Sequence, residues 1–232
     1  MNLLKYLLPL ITLLPLSIMA QGNAWGIKGG MSMTTQTWNG FQKDPLFNWH
    51  ADIYYENVPD VKKAAFFIEG GYHVRGFVFR NPSFQTNQGN LIYAKTFRNK
   101  CHNISVMLGG KKYISNSGNS KFYYGLGVRG EFTVASDFEI YEGYEDYVRK
   151  INAGVTLSGG WQFPVTEFFQ GVFEMRVSPD FTKQIFAPPG YFPNTYTGVN
   201  EPYPEQNVRN VSFEVALGFR IFTPYDDEEV EY

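Results

Sequence analysis

Residues 210–221 read Asn210-Val211-Ser212-Phe213-Glu214-Val215-Ala216-Leu217-Gly218-Phe219-Arg220-Ile221. Every second residue from Val211 to Ile221 is apolar, and the intervening set includes Asn210, Ser212, Glu214 and Arg220. A period of two puts the two sets on opposite faces of a strand. The stretch is therefore apolar along one side and charged along the other.

Seven further runs repeat the scheme. Trp25, Ile27, Met31 and Met33 oppose Lys28 and Ser32, and Trp49, Ala51, Ile53 and Tyr55 oppose His50, Asp52 and Tyr54. Phe66, Ile68, Tyr72, Val74 and Val78 oppose Glu69, His73 and Arg75. Ile104, Val106 and Leu108 oppose Asn103, Ser105 and Lys111. Tyr124, Leu126, Val128, Phe132 and Val134 oppose Arg129, Glu131 and Thr133. Ile151, Ala153, Val155, Leu157 and Trp161 oppose Asn152, Thr156, Ser158 and Gln162. Phe169, Phe173, Met175 and Val177 oppose Gln170, Glu174 and Arg176.

The runs are 8 to 15 residues long, beyond the ~5–6 of soluble strands and close to the ~9–11 of strands that cross a membrane. Their connections alternate in length. Residues 57–63, 115–121 and 164–167 are short turns, whereas 35–48, 80–100, 135–149 and 179–207 are long. Short turns on one side and long loops on the other predict an all-β, up-and-down antiparallel barrel of about eight strands in an outer membrane, turns facing the periplasm. Lipid offers no hydrogen-bond partners, so a sheet crosses it only when its edges pair by closure.

Two residue sets follow from that frame. Trp25, Tyr55, Phe66, Tyr124, Trp161, Phe163 and Phe169 lie near the short-turn ends and form the expected interfacial girdle. Glu69, Glu131, Glu174 and Glu214 with Arg75, Arg129, Arg176 and Arg220 fall on the polar faces and are expected to fill the lumen as a balanced charge network. A barrel of about eight strands is just wide enough for side chains to fill. The network reads as a plug in preference to a selectivity filter or proton path.

The chain of 232 residues carries 20 Lys plus Arg against 22 Asp plus Glu, a net charge of −2, with 18% aromatic and 18% charged residues. Such a balance argues against disorder and against a basic nucleic-acid binder. Five acids crowd into residues 226–232, a solvated tail expected in the periplasm. A single cysteine, Cys101, excludes an intramolecular disulfide and a cysteine-based zinc site. At the other end, Lys5 precedes an apolar stretch broken by Pro9 and Pro15 and ending at Ala20. This predicts a signal peptide over 1–20, with the barrel over 21–225 and the tail over 226–232.

Motifs for chemistry are few. Gly125-Leu126-Gly127-Val128-Arg129-Gly130 matches a dinucleotide fingerprint, but that motif needs a following helix, and here more strand follows. The inward glycines are read instead as room for large neighbours. His50, His73 and His102 show no metal-ligand spacing. No metal, cofactor or catalytic residue is expected, and a lipid-modifying enzyme is disfavoured because His50 and His73 point inward. The loops hold Tyr141, Tyr144, Tyr147, Tyr191, Tyr196 and Tyr203. They fit two readings equally: a recognition surface, or aromatics that pack together and shield the barrel mouth.

Four segments carry a resemblance: the end of the leader at Ala20-Gln21, the opening Trp25-Gly26-Ile27-Lys28-Gly29-Gly30, the strand Phe122-Tyr123-Tyr124-Gly125-Leu126-Gly127, and the close Leu217-Gly218-Phe219-Arg220-Ile221-Phe222. The mature chain resembles porin-like outer-membrane barrels of Gram-negative bacteria, the PorT-like group in particular. Its close is similar to the insertion signal read by the barrel-assembly machinery. The resemblance implies an integral outer-membrane scaffold in contact with lipid, with a secretion-system or periplasmic protein as partner. A narrow pore for small solutes is the alternative, ahead of an enzyme or a soluble lipocalin-like binder.

Overall fold

The computed structural model describes residues 23–40, 43–57, 64–85, 91–114, 120–139, 142–166, 169–193 and 200–223. The expected leader and acidic tail both lie outside the described residues. Eight long strands dominate: β1 (Asn23–Gln36), β2 (Asp44–Asn57), β3 (Ala64–Asn81), β4 (Lys95–Ile114), β5 (Lys121–Phe138), β6 (Ile151–Pro164), β7 (Phe169–Pro179) and β8 (Asn210–Thr223). Each pairs antiparallel with the next, and β8 returns to β1 in unbroken register from Asn23 opposite Thr223 to Gln36 opposite Asn210. The sheet is a closed barrel. No edge is left to be satisfied by lipid.

The period of two survives in three dimensions. Ile27, Leu126, Val128, Leu157, Leu217 and Phe219 are among many large apolar side chains exposed on the outer wall, while Lys28, Glu69, Arg129, Glu174, Arg176 and Glu214 are buried inside. This inverts the usual arrangement of a soluble domain, in which charged side chains are rarely buried. The glycine pair of the apparent fingerprint sits mid-strand in β5. A Cβ on Gly125 would come within 2.7 Å of Ser158 Oγ, and one on Gly127 within 2.8 Å of Met107.

The strands reach further than the alternation implied. β1 and β2 run on to Gln36 and back from Asp44, so the first connection shrinks from the expected 35–48 to 37–43. β4 begins at Lys95 and β5 ends at Phe138, which shortens two more loops. The long connections also carry structure of their own. Ile185–Ala187 pairs with Gln206–Val208, Gly190–Pro193 with Asn200–Tyr203, and Glu142–Tyr147 is a short 3-10 helix.

One stretch of wall departs from the pattern. Val74 and Val78, expected on the lipid side, are buried at 2% and 8% exposure because Leu46 packs against them. The β2–β3 ladder shifts register between Pro45 and His50. Pro45 has no N–H to give to a ladder, and Gly76 of β3 has no side chain to hold Leu46 away. A Cβ there would meet Asn99 O at 1.9 Å and Leu46 Cδ2 at 3.1 Å.

Candidate functional site

The lumen is filled from one end to the other. At the short-turn end, Glu56 of β2 receives Arg220 Nη2 at 2.6 Å, Lys111 Nζ at 2.8 Å and the Tyr113 hydroxyl at 2.7 Å. Arg220 also donates to Gln162 Oε1 at 2.6 Å. The Tyr54 ring lies between Lys28 and Lys111, whose ammonium groups are each 4.8 Å from its centroid. Gly26 makes that ring possible, since a Cβ at 26 would fall 2.3 Å from it.

Midway along the barrel, Arg176 is the hub. Its Nε lies 2.5 Å from Glu174, its Nη2 2.5 Å from Glu69, and its Nη1 3.4 Å from Asp52 and 3.9 Å from Glu214. Lys28 Nζ is 2.7 Å from both Glu69 and Glu174, and the Tyr123 hydroxyl also donates to Glu174. Above them, His73 places Nε2 3.0 Å from Asp52 and Nδ1 3.3 Å from Glu214. Both ring nitrogens of His73 therefore face carboxylates, which only accept. His50 stacks on the His73 ring, centroids 5.5 Å apart and planes 2° from parallel.

Nearer the long loops, Arg75 Nη2 is 2.7 Å and Arg129 Nε 2.9 Å from Glu131, and Arg129 also pairs with Asp180. Asn210 donates to Asp180 at 2.7 Å and to Gln184 at 2.8 Å, while Gln36 donates to Asn210 at 2.8 Å. Here the charges stop and an apolar cluster begins. Trp38, Phe77, Cys101, Phe138, Tyr144, Ile185, Ala187 and Val208 are all buried together across the mouth. Trp38 joins lid to network, for its Nε1 donates to Gln36 Oε1 at 2.9 Å.

The eight charged residues expected in the lumen all lie there, but the expected four-against-four balance is corrected. Among the described residues the buried set holds seven carboxylates, adding Asp52, Glu56 and Asp180, and six Lys or Arg, adding Lys28 and Lys111. His73 and His50 are buried among them. Lys28, Asp52 and Lys111 were visible on the polar face of their runs. Glu56 lies just past the end of its run, and Asp180 follows the last residue of β7, where alternation gives no signal.

The girdle candidates lie on the outer wall toward the short-turn end. Trp25 and Tyr55 face each other in the ladder with centroids 4.7 Å apart, and Trp161 lies 4.8 Å from Phe163 and 6.1 Å from Phe122. Phe66, Tyr124 and Phe169 are exposed beside them. Phe122 belongs to the same belt although the alternation did not single it out. His102 faces outward, where its Nδ1 meets the Tyr72 hydroxyl.

The loop tyrosines divide. Tyr144 is fully buried in the lid, against Trp38 at 5.1 Å. Its ring fills the mouth, which for this residue is the packing arrangement of the two expected. Tyr147 and Tyr191 are exposed, Tyr191 at 71%. Tyr203 lies on the strand Asn200–Tyr203, and Tyr141 and Tyr196 lie outside the described residues.

A closed ring of eight strands, aliphatic outside and charged inside, with short connections at one end and long ones at the other, is the build of an outer-membrane barrel. The chain is an eight-stranded outer-membrane β-barrel. No family model and no curated protein matches it. Among solved structures it is similar to Neisserial surface protein A, with TM-score 0.44 and 11% identity over 85% of this chain and 97% of that one. It is similar also to the outer membrane protein OprG of Pseudomonas aeruginosa, with TM-score 0.46 and 12% identity over 87% and 97%. Ail of Yersinia pestis gives TM-score 0.38 and 11% identity over 87% and 99%.

Proposed function

We propose that this barrel is a plugged, non-enzymatic scaffold that holds loops at the cell surface and conducts no solute. The observation that carries the reading is the unbroken filling: paired charges from Glu56 to Asp180, then an apolar lid sealing the mouth. Removing a charge from water costs several kcal/mol unless it is paired, so an ion entering this lumen would have to displace partners already in contact.

The lid also stiffens what it carries. The hairpin Gly190–Pro193 with Asn200–Tyr203 is joined in sequence to the strands Ile185–Ala187 and Gln206–Val208, whose Ile185, Ala187 and Val208 are packed in the lid. Exposed Tyr191 thus sits on an anchored base, as suits a contact with a partner protein. An accessory role in protein secretion, with a periplasmic or secretion-system partner, is supported by the PorT-like segments Trp25–Gly30, Phe122–Gly127 and Leu217–Phe222. Insertion by the barrel-assembly machinery is supported by the outward Leu217, Phe219 and Ile221 at the close of the chain.

Planar-bilayer recording of the purified barrel is the test. The wild-type protein is expected to give a flat trace. Steady open-channel current from the wild-type protein would overturn the scaffold reading and restore the pore.

A further inference from the structure

At the register shift between β2 and β3 the outer wall holds a cavity of about 400 Å³. Exposed Phe47, over the buried Leu46 and Val78, gives it an apolar side, and Arg80, Arg98 and Lys100 a cationic one. It opens toward lipid, because Arg98 and Lys100 share the outward face of β4 with exposed Ile104 and Val106. Arg98 and Lys100 lie beyond Ile104 toward the long connections.

The cations are only partly answered by the protein. Arg80 Nε pairs with Asp44 Oδ2 at 2.8 Å. Glu139 accepts from the backbone N–H of Arg98 at 2.9 Å, and Asp137 stands opposite Lys100 in the ladder. Among the described residues neither the Arg98 guanidinium nor the Lys100 ammonium has an ion-pair partner. Two cations beside an apolar recess complement a molecule that is anionic at one end and aliphatic at the other.

We propose that this cavity docks the phosphorylated headgroup of an outer-leaflet lipid, phosphate on Arg98 and Lys100 and acyl chain against Phe47. The proposal rests on the barrel standing with its long connections outward and is independent of the plug.

The test is native mass spectrometry of the detergent-purified full-length barrel with diphosphoryl lipid A, with the same lipid dephosphorylated, and with inorganic phosphate. Diphosphoryl lipid A is expected to bind about tenfold or more tightly than its dephosphorylated form, since each basic side chain near a membrane surface contributes appreciably to anionic-lipid binding. Arg98→Gln with Lys100→Gln is expected to erase that preference. Lys112→Gln with Lys121→Gln, at the opposite end of the barrel, is expected to keep it. Equal binding of the two lipids by the wild-type chain would overturn the proposal whether or not the variants fold. So would an unchanged preference in the Arg98/Lys100 variant, or displacement of the lipid by equimolar inorganic phosphate, which would mark a site for free anions.

Discussion

Arg176→Leu is expected to destabilise the barrel by about 3–5 kcal/mol, the usual cost of removing one partner from a buried ion pair. Arg176 faces four carboxylates at once. Its guanidinium reaches Glu174, Glu69, Asp52 and Glu214, residues of four different strands including its own, all inside the wall. Leucine fills part of the volume but supplies no donor. Lys28 would remain against Glu69 and Glu174, and His73 against Asp52 and Glu214. Arg75 Nη2, 3.5 Å from Glu214, would be the third group left to answer those four carboxylates. Urea unfolding of the folded barrel, followed by its slower mobility on heating for gel electrophoresis, reads the shift in midpoint. Arg176→Lys, which keeps a charge but loses the fork, is expected to fall between the two. A leucine variant as stable as the wild type would mean that the charges are hydrated and not locked together.

Trp38→Ala is expected to cost a similar amount, about 3–5 kcal/mol for a large buried aromatic, but to be felt in a different place. The Trp38 ring packs on Phe77 at 5.2 Å and Tyr144 at 5.1 Å, and its N–H is taken by Gln36. Its removal hollows the lid and leaves the charged levels beneath it intact. Hydrogen exchange is therefore expected to rise in the segments 142–148 and 184–187, with β6 and β7 below still protected. Conductance is expected to stay at zero, because the plug does not depend on the lid. Channel opening on this single substitution would assign the sealing to the loops instead of the lumen.

Much of the barrel was legible because its determinants are local. A strand declares its two faces through neighbours two residues apart, and a wall bathed in lipid makes that alternation unusually clean, as from Val211 to Ile221. The eight charges named from the polar faces were legible for the same reason. What escaped depends on contacts distant in sequence. Trp38, Tyr144 and Ile185 come from three separate connections, and nothing in the pattern of any one loop says that their side chains meet. Asp180 looked like a loop acid because its partner Arg129 is supplied by another strand. Leu46 reads as one more apolar residue. Only the missing N–H of Pro45 and the missing side chain of Gly76, taken together, let it lie over Val74 and Val78.

The central claim is that lipid meets the aliphatic face while the arginines inside are sealed from water. Solution NMR of the unmodified chain in lipid nanodiscs reads both sides at once. The methyl groups of Leu126, Val128, Leu157 and Leu217 are predicted to show cross peaks to acyl-chain protons, and the guanidinium protons of Arg75, Arg129 and Arg176 to exchange slowly with the solvent. Leucine and valine methyls that see water instead of lipid, with arginine protons lost to rapid exchange, would contradict the account.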